Sequence, residues 1–329
     1  MTLVESKAIN SVRFVCIIFL VLLHTQVLHL VNPNIVGAMT KIQNFLSIPF
    51  LSILFLLSGY LFFYKEGTGI QQNWIRDTWV KKLKKRVKTL LVPYLLWCSI
   101  ALIYNRFVKH VAFPTDFIDF IRQFWDAADG GHPIGKAVWY IKSLIIFSLF
   151  APLYYFIVKR LKHFILLILL ALPSFRIAID FPYFNIYLLL GAYLAIMGFS
   201  FKELTEKLNY KLCLAAYIGI KIVRMYVEIP DICIYFDLIL CFAGLFGCFM
   251  KHNIPPVLAA SSSFIYFVHP YVTGVRNIYI KYVDQVNVIQ CSFVWIASAT
   301  TVFIFCLVLF LLLKHYTPKV VRILTGDRV

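Results

Sequence analysis

The sequence predicts an all-α, polytopic membrane protein with about ten transmembrane helices. Hydrophobic residues make up 61% of the 329 and charged residues only 14%. The mean hydropathy is +0.82, and a soluble domain of that composition would lack the polar surface to cover itself. The apolar residues also fall in runs of roughly 20, the length that an α-helix rising ~1.5 Å per residue needs to cross a bilayer core.

The expected spans are 9–31, 45–64, 87–106, 137–158, 163–174, 184–198, 210–226, 232–250, 258–280 and 290–313. The first follows Lys7 as a secretion signal would. It is too long for a signal core, however, and no small-x-small cleavage site follows, so it is read as a retained span. The fifth is short, and Lys221 and Arg224 interrupt the seventh. No repeat of fixed period is present, which speaks against an inverted duplication of the transporter kind.

Charge orients the spans. With the N-terminus in the cytoplasm, the inner connections hold most of the Lys and Arg that lie between spans, while Asp116, Asp119, Asp126, Asp129, Asp180, Asp231 and Asp284 fall outside. Both termini are therefore expected in the cytoplasm. The formal net charge of +17 is accounted for by this asymmetry, and nucleic acid is not an expected partner. The chain 1–329 is read as a single integral membrane domain with a short cytoplasmic tail, 314–329.

The eight cysteines form no framework. Cys16, Cys98, Cys213, Cys241, Cys248 and Cys306 lie inside apolar runs, Cys233 and Cys291 near span ends, and no Cys-x-x-Cys pair occurs. No metal-ligand set is read.

Three connections exceed hairpins. Trp74–Lys88, WIRDTWVKKLKKRVK, places Trp79, Val80, Leu83 and Val87 on one stripe, with Lys81, Lys82, Lys84, Lys85 and Lys88 elsewhere. That is the pattern of an amphipathic helix in the inner interface, either gripping anionic lipid or holding a ligand. In the outer stretch 107–136, Thr115 is placed to cap a short helix, with Asp116 and Asp119 in its first turn. Phe117, Ile118, Ile121, Phe124 and Trp125 then recur at helical spacing. Asp129-Gly-Gly-His132-Pro133 follows as a polar loop, open to a hydrophilic partner or simply solvated. The linker 201–211 has the balanced charge of a solvated connection.

Within the first span stand Arg13 and His24. An arginine inside a spanning helix costs roughly 2.5–3.5 kcal/mol on insertion scales, so it normally faces protein or a water-filled cavity. Eleven positions separate the pair, about three turns and ~16 Å of rise, so both project from one face. Two readings stand: a snorkelling Arg with a hydrogen-bonded core His, or a functional pair.

The order and spacing of several segments resemble the acyltransferase-3 family of integral membrane acyltransferases, most closely the stand-alone bacterial surface-polysaccharide O-acetyltransferases. These segments are Arg13-x10-His24, PFLSILFLLSGYLFF with Ser58-Gly59, KKRVKTLLVPYLLW, AVWYIKSLIIF, and SSSFIYFVHPYV with His269-Pro270. The resemblance covers residues 9–313. It implies that His24 is central to acyl transfer and that Arg13 belongs to the same machinery. Ser58-Gly59, Trp139-Tyr140 and the Ser263…His269 stretch with Tyr266 match further family positions. The family often has Arg-x-x-Arg at the inner end of the third span. Here Arg86 is kept and Thr89 stands at the second position, leaving Lys85 and Lys88 to supply charge.

The family's donor is cytoplasmic acyl-CoA, with acetyl-CoA favoured by resemblance. The inner basic run, with Lys82, Lys85, Arg86 and Lys88, suits its phosphates. No permanently bound cofactor is expected. The expected partners are acyl-CoA, a glycan or lipid-linked sugar acceptor, membrane lipid and a further copy of the chain, in a bacterial inner membrane. In this reading His24 is a general base toward the acceptor hydroxyl, an unperturbed imidazole pKa near 6.5 suiting that task. Arg13 orients the donor or steadies negative charge, and an acyl-histidine intermediate is the alternative route. Tyr60, Lys142, Ser263 and His269 are supporting candidates, since polar groups at these depths need partners. Against them, His269-Pro270 could mark only a kink and Lys142 could snorkel. His29, His132 and His163 are expected at interfaces or in solvent. The rival functions are a transporter or flippase of a lipid-linked sugar and a non-enzymatic assembly partner.

Overall fold

Every regular element among the described residues is helical. The computed structural model describes residues 1–47, 49–64, 78–126, 134–135, 138–171, 185–227 and 234–327. The helices group into two compact units. Met1–Ile70, Tyr154–Ser262 and Tyr271–Phe305 form the first, and Gln71–Leu153, Ser263–Pro270 and Cys306–Val329 the second.

The first unit opens with α1, Leu3–His24, whose start is a capping box. Thr2 Oγ1 accepts from the Glu5 N–H at 3.2 Å, and Glu5 Oε2 accepts from the Thr2 N–H at 2.5 Å. Glu5 is buried, and Ser200 Oγ reaches its other oxygen at 3.5 Å. No Gly or Pro interrupts the helix before Thr25. There the hydroxyl folds back onto the carbonyls of Val21 and Leu22, at 3.0 and 3.1 Å, and the helix stops.

A helix not expected from the sequence follows. α2, Pro33–Leu46, starts at Asn32, whose side chain accepts from the Asn34 N–H, with Pro33 preset for the first turn. The signal was present in Asn-Pro followed by Ile35, Val36, Met39 and Ile42 at helical spacing. Met39 packs with Val27, Val31, Ile280, Val294 and Trp295 in one buried cluster. The second expected span, 45–64, is thus shortened to α3, Phe50–Phe63.

α3 crosses α10, Asn185–Ile196, at backbone distance. A methyl placed on Gly59 would lie 2.1 Å from the carbonyl oxygen of Leu188, and one on Gly191 2.1 Å from that of Leu56. The two glycines are reciprocal, a small-residue crossing of the kind that lets apolar helices associate without help from water. Beside it the Tyr60 ring stacks on Phe201 at 3.8 Å between centroids. α8, Ala151–Leu161, and α9, Phe164–Ala171, lead toward this layer. α11, Phe201–Glu206, and α12, Tyr210–Arg224, lead from it to α13, Ile234–Lys251. α12 packs along α13, which also packs on α1. α15, Val275–Tyr279, and the first half of α16, Val288–Tyr316, close the unit.

In the second unit α4, Val80–Arg86, runs through a π segment, Val87–Leu91, into α5, Val92–Phe107. The described part of the basic run is therefore continuous with the third span and not a separate interface helix, because nothing between Val80 and Val92 breaks the backbone. Residues 74–77 lie outside the described set. α6, Phe117–Gln123, is capped by Asp116, whose carboxylate accepts from the N–H groups of Ile118 and Asp119. The expected cap was Thr115. A carboxylate one residue later meets the two orphan donors and suits the helix dipole. The fourth expected span breaks at Phe150 into α7, Trp139–Leu149, and α8. α14, Pro256–Val272, gives 263–270 to this unit and its ends to the first.

The tail is not a loose end. α17, Pro318–Thr325, ends at Gly326, whose left-handed backbone (φ 67°) only glycine adopts freely. A methyl there would sit 2.2 Å from the Thr89 carbonyl oxygen. Trp97 Nε1 donates to the Leu324 carbonyl at 3.0 Å, and Lys88 pairs with Asp327 at 3.2 Å. Among the described residues four helical stretches are long and apolar enough to cross a membrane, counting α2 with α3 as one and α4 with α5 as one, or five if α7 and α8 also form one span. Ten spans were expected, and one shorter apolar helix, within α10, stands beside these. Twelve-residue α10 extends only ~18 Å at ~1.5 Å per residue.

Candidate functional site

Arg13 and His24 both stand on unbroken α1 in the first unit, so the helical argument for a shared face holds over its length. Both are half-buried. His24 is the last helical residue, and the turn that carries it is held from outside the helix. Arg276, on α15, donates from Nη1 to the His24 carbonyl at 2.7 Å and to the Gln26 carbonyl at 3.1 Å. Trp295 Nε1 donates to the Leu22 carbonyl at 2.7 Å. Carbonyls at a helix C-terminus lack intrahelical donors and carry its negative dipole end, so a guanidinium there is favourable twice over. Arg276 was not singled out in the sequence. Its signal was a lone Arg two residues after Thr273-Gly274, within the ninth apolar run.

Ser58 and Tyr60 belong to the same unit, and each makes a hydrogen bond to a backbone carbonyl. Ser58 Oγ donates to the Leu54 carbonyl at 2.8 Å, a common resting place for a hydroxyl on an apolar helix. Tyr60 is buried, and its hydroxyl donates to the Phe199 carbonyl at 3.1 Å. The Ser58-Gly59 pair thus marks the backbone crossing with α10. His163, expected at an interface or in solvent, is exposed and its Nδ1 lies 2.7 Å from the Tyr193 hydroxyl.

A second charged constellation in this unit also escaped the sequence reading. Arg224 Nη1 on α12 meets Asp237 Oδ2 on α13 at 2.7 Å. Lys221 Nζ donates to Ser47 Oγ at 3.3 Å, and the Tyr217 hydroxyl to the Ser47 carbonyl at 3.0 Å. Asp237 is the acid inside an expected span, which was the available signal.

The remaining candidates lie in the second unit. His269 is fully buried, with Nδ1 at 3.1 Å from the Ile265 carbonyl. A carbonyl only accepts, so Nδ1 carries a proton and Nε2 is the basic nitrogen of the neutral ring. Pro270 follows inside the helix and has no N–H to donate. Tyr266 lies edge-on to Tyr140, centroids 5.8 Å apart, and 6.3 Å from the His269 ring. Tyr140, Tyr266 and His269 are thereby brought together. Trp139 and Ser263 flank them in sequence and are half-buried.

Lys142 reaches the segment that follows α6. Its Nζ donates to the Trp125 carbonyl at 2.7 Å and lies 4.5 Å from the Trp125 ring centroid. With Tyr94, whose hydroxyl donates to the Phe124 carbonyl, it fastens the segment after α6 to the helices. Along the basic run Lys82 and Arg86 are half-buried at i, i+4, while Lys85 and Lys88 are exposed. Trp79 Nε1 anchors the start of the run on the Ser148 carbonyl at 2.8 Å. The loop Asp129–Pro133, with His132, lies outside the described residues.

The sequence model of a family described as an acyltransferase domain matches residues 6–315. No curated protein and no solved structure matches the chain.

Proposed function

The chain belongs to the acyltransferase-3 family, and we propose that it is a membrane-bound O-acyltransferase moving an acetyl or similar short acyl group from cytoplasmic acyl-CoA to a hydroxyl of a cell-surface or lipid-linked glycan. The setting is the bacterial inner membrane. The observation that carries this reading is the placement of His24. It ends a helix whose last carbonyls are clamped by Arg276 and Trp295, and it shares a face with Arg13, ~16 Å away along the axis.

In the proposed step a ring nitrogen of His24 takes the proton of the acceptor hydroxyl as its oxygen attacks the thioester carbonyl carbon. The carbon–sulfur bond then breaks, and the departing thiolate receives the proton from the imidazolium. Arg13 balances the negative charge that develops on the carbonyl oxygen and the sulfur. Lys82 and Arg86, with the exposed lysines around them, attract the donor's phosphates from the cytoplasmic side. Tyr140, Tyr266 and His269, grouped within the second unit, are assigned a supporting part in transfer.

The test is thiol release from acetyl-CoA by purified full-length protein supplied with de-acetylated surface glycan. His24→Ala and His24→Gln are expected to fold and to lose transfer by about 10²–10⁴-fold, the usual contribution of a positioned acid–base group. Retained transfer in either variant overturns the role of His24. Movement of a lipid-linked sugar across vesicles without any thiol release would favour a flippase instead.

A further inference from the structure

The pair formed by Arg224 and Asp237 is incomplete. Their Nη1–Oδ2 contact is 2.7 Å, and Asp237 is only 4% exposed. Yet Asp237 Oδ1 and Arg224 Nε are both buried and have no hydrogen-bond partner. An ion pair serving only to join α12 and α13 offsets its desolvation when the remaining lone pairs and protons are also satisfied, and here one of each is not. Lys221 adds a second cation within electrostatic reach of Asp237. Ionisable groups in membrane helices are rare and mark functional sites by default.

The cluster also lies close to the proposed catalytic helix. α13, which carries Asp237 and Cys241, packs on α1, which carries Arg13. Asp237 is one turn from Cys241 on α13. It lies beside the helix that carries Arg13 and His24, and no step of the acyl transfer above uses it.

We propose that Lys221, Arg224 and Asp237 bind the acceptor substrate through an anionic, hydroxyl-bearing group. Two cations against one carboxylate leave a net positive charge for the anion. Arg224 Nε offers it a further donor, and Asp237 Oδ1 accepts a hydroxyl proton. A bare anion would leave that oxygen unsatisfied, and a neutral sugar would leave the positive charge uncompensated. The chemistry is that of a sugar phosphate or a sugar carboxylate. The inference rests on the acyltransferase reading only for calling this ligand the acceptor.

Binding can be read without any acyl donor. The full chain in nanodiscs is titrated with glucose 1-phosphate, glucuronate and glucose, by equilibrium dialysis and thermal shift. At least one anion is expected to bind about tenfold or more tightly than glucose, and the preferred anion identifies phosphate or carboxylate as the group recognised. Lys221→Gln keeps the Arg224–Asp237 pair, and is expected to keep Tm while weakening the anion about tenfold through loss of one charge-assisted contact. The double variant Arg224→Gln/Asp237→Asn removes both charges together and is expected to abolish the preference for anions over glucose. Equal binding of all three sugars, binding of none below about 10 mM, or unchanged anion affinity in both variants overturns the proposal. Absence of thiol release by the wild-type protein counts against the transfer reading alone.

Discussion

The guanidinium of Arg276 donates from Nη1 to the backbone carbonyl of His24 at 2.7 Å, across 252 positions of sequence. Its second bond, to the Gln26 carbonyl, makes it a bracket over the end of α1. The imidazole of His24 is therefore aimed by a backbone that a distant helix holds in place.

Arg276→Gln is expected to destabilise the protein by on the order of 2–3 kcal/mol, since charge-assisted hydrogen bonds to buried carbonyls are lost. Transfer should fall further than stability alone explains, through kcat more than KM for acetyl-CoA. Hydrogen exchange at residues 22–26 should rise, and Arg276→Lys should restore part of both. Unchanged exchange in the glutamine variant would show that α1 holds its own end.

Gly59→Ala and Gly191→Ala are each expected to cost more than about 4 kcal/mol, because the added methyl meets backbone rather than a side chain that can turn aside. Ser58→Ala next door should cost far less, since it removes a hydroxyl bonded to the Leu54 carbonyl of its own helix and adds no atom to the crossing. Melting curves in detergent, followed by size-exclusion fluorescence, distinguish the two cases.

The main helices, the basic run and the Arg13–His24 stripe were legible because each is written in neighbouring residues: apolar length, charge density and a spacing near a whole number of turns. α2 is written just as locally, in Asn32-Pro33 and the apolar spacing after it, but at 14 residues it is too short to stand out as a span. The reach of Arg276 to His24, the pairing of Arg224 with Asp237 and the docking of Gly326 on Thr89 had no such local record. Each depends on which helix lies beside which, and apolar helices of similar length do not announce their neighbours. Ser58-Gly59 shows a subtler limit. The motif was visible, but its reason, a carbonyl of Leu188 pressed against Gly59, belongs to a helix more than a hundred residues later.

Lys142→Met should free the segment after α6. It removes the hydrogen bond to the Trp125 carbonyl and the cation above the Trp125 ring, together about 1–2 kcal/mol. Limited proteolysis is expected to cut near 116–126 faster in the variant, with global melting little changed. Equal cleavage of the two proteins would contradict an anchoring role.

Asp327→Asn should change stability by less than about 0.5 kcal/mol, because the Lys88–Asp327 pair is largely exposed. Its effect is expected instead in donor affinity. With one anion fewer beside the basic run, acetyl-CoA should bind about two- to threefold more tightly at low ionic strength, and the difference should vanish above about 0.5 M salt. Isothermal titration at two salt concentrations checks it, and an affinity that ignores both the variant and the salt would place the donor elsewhere.

The crossing of Gly59 with Gly191 also bears on how the molecule is made. The partners are far apart in the chain, so α3 enters the membrane well before α10 is synthesised. In that interval its glycine face meets lipid, which fits a bare backbone groove poorly. Closure of the first unit is then a late event in biogenesis, timed by the arrival of residues 185–196. Chains stalled or truncated short of that point would present an unfilled groove to the membrane quality-control machinery, and release of the stall would allow closure without further change to α3.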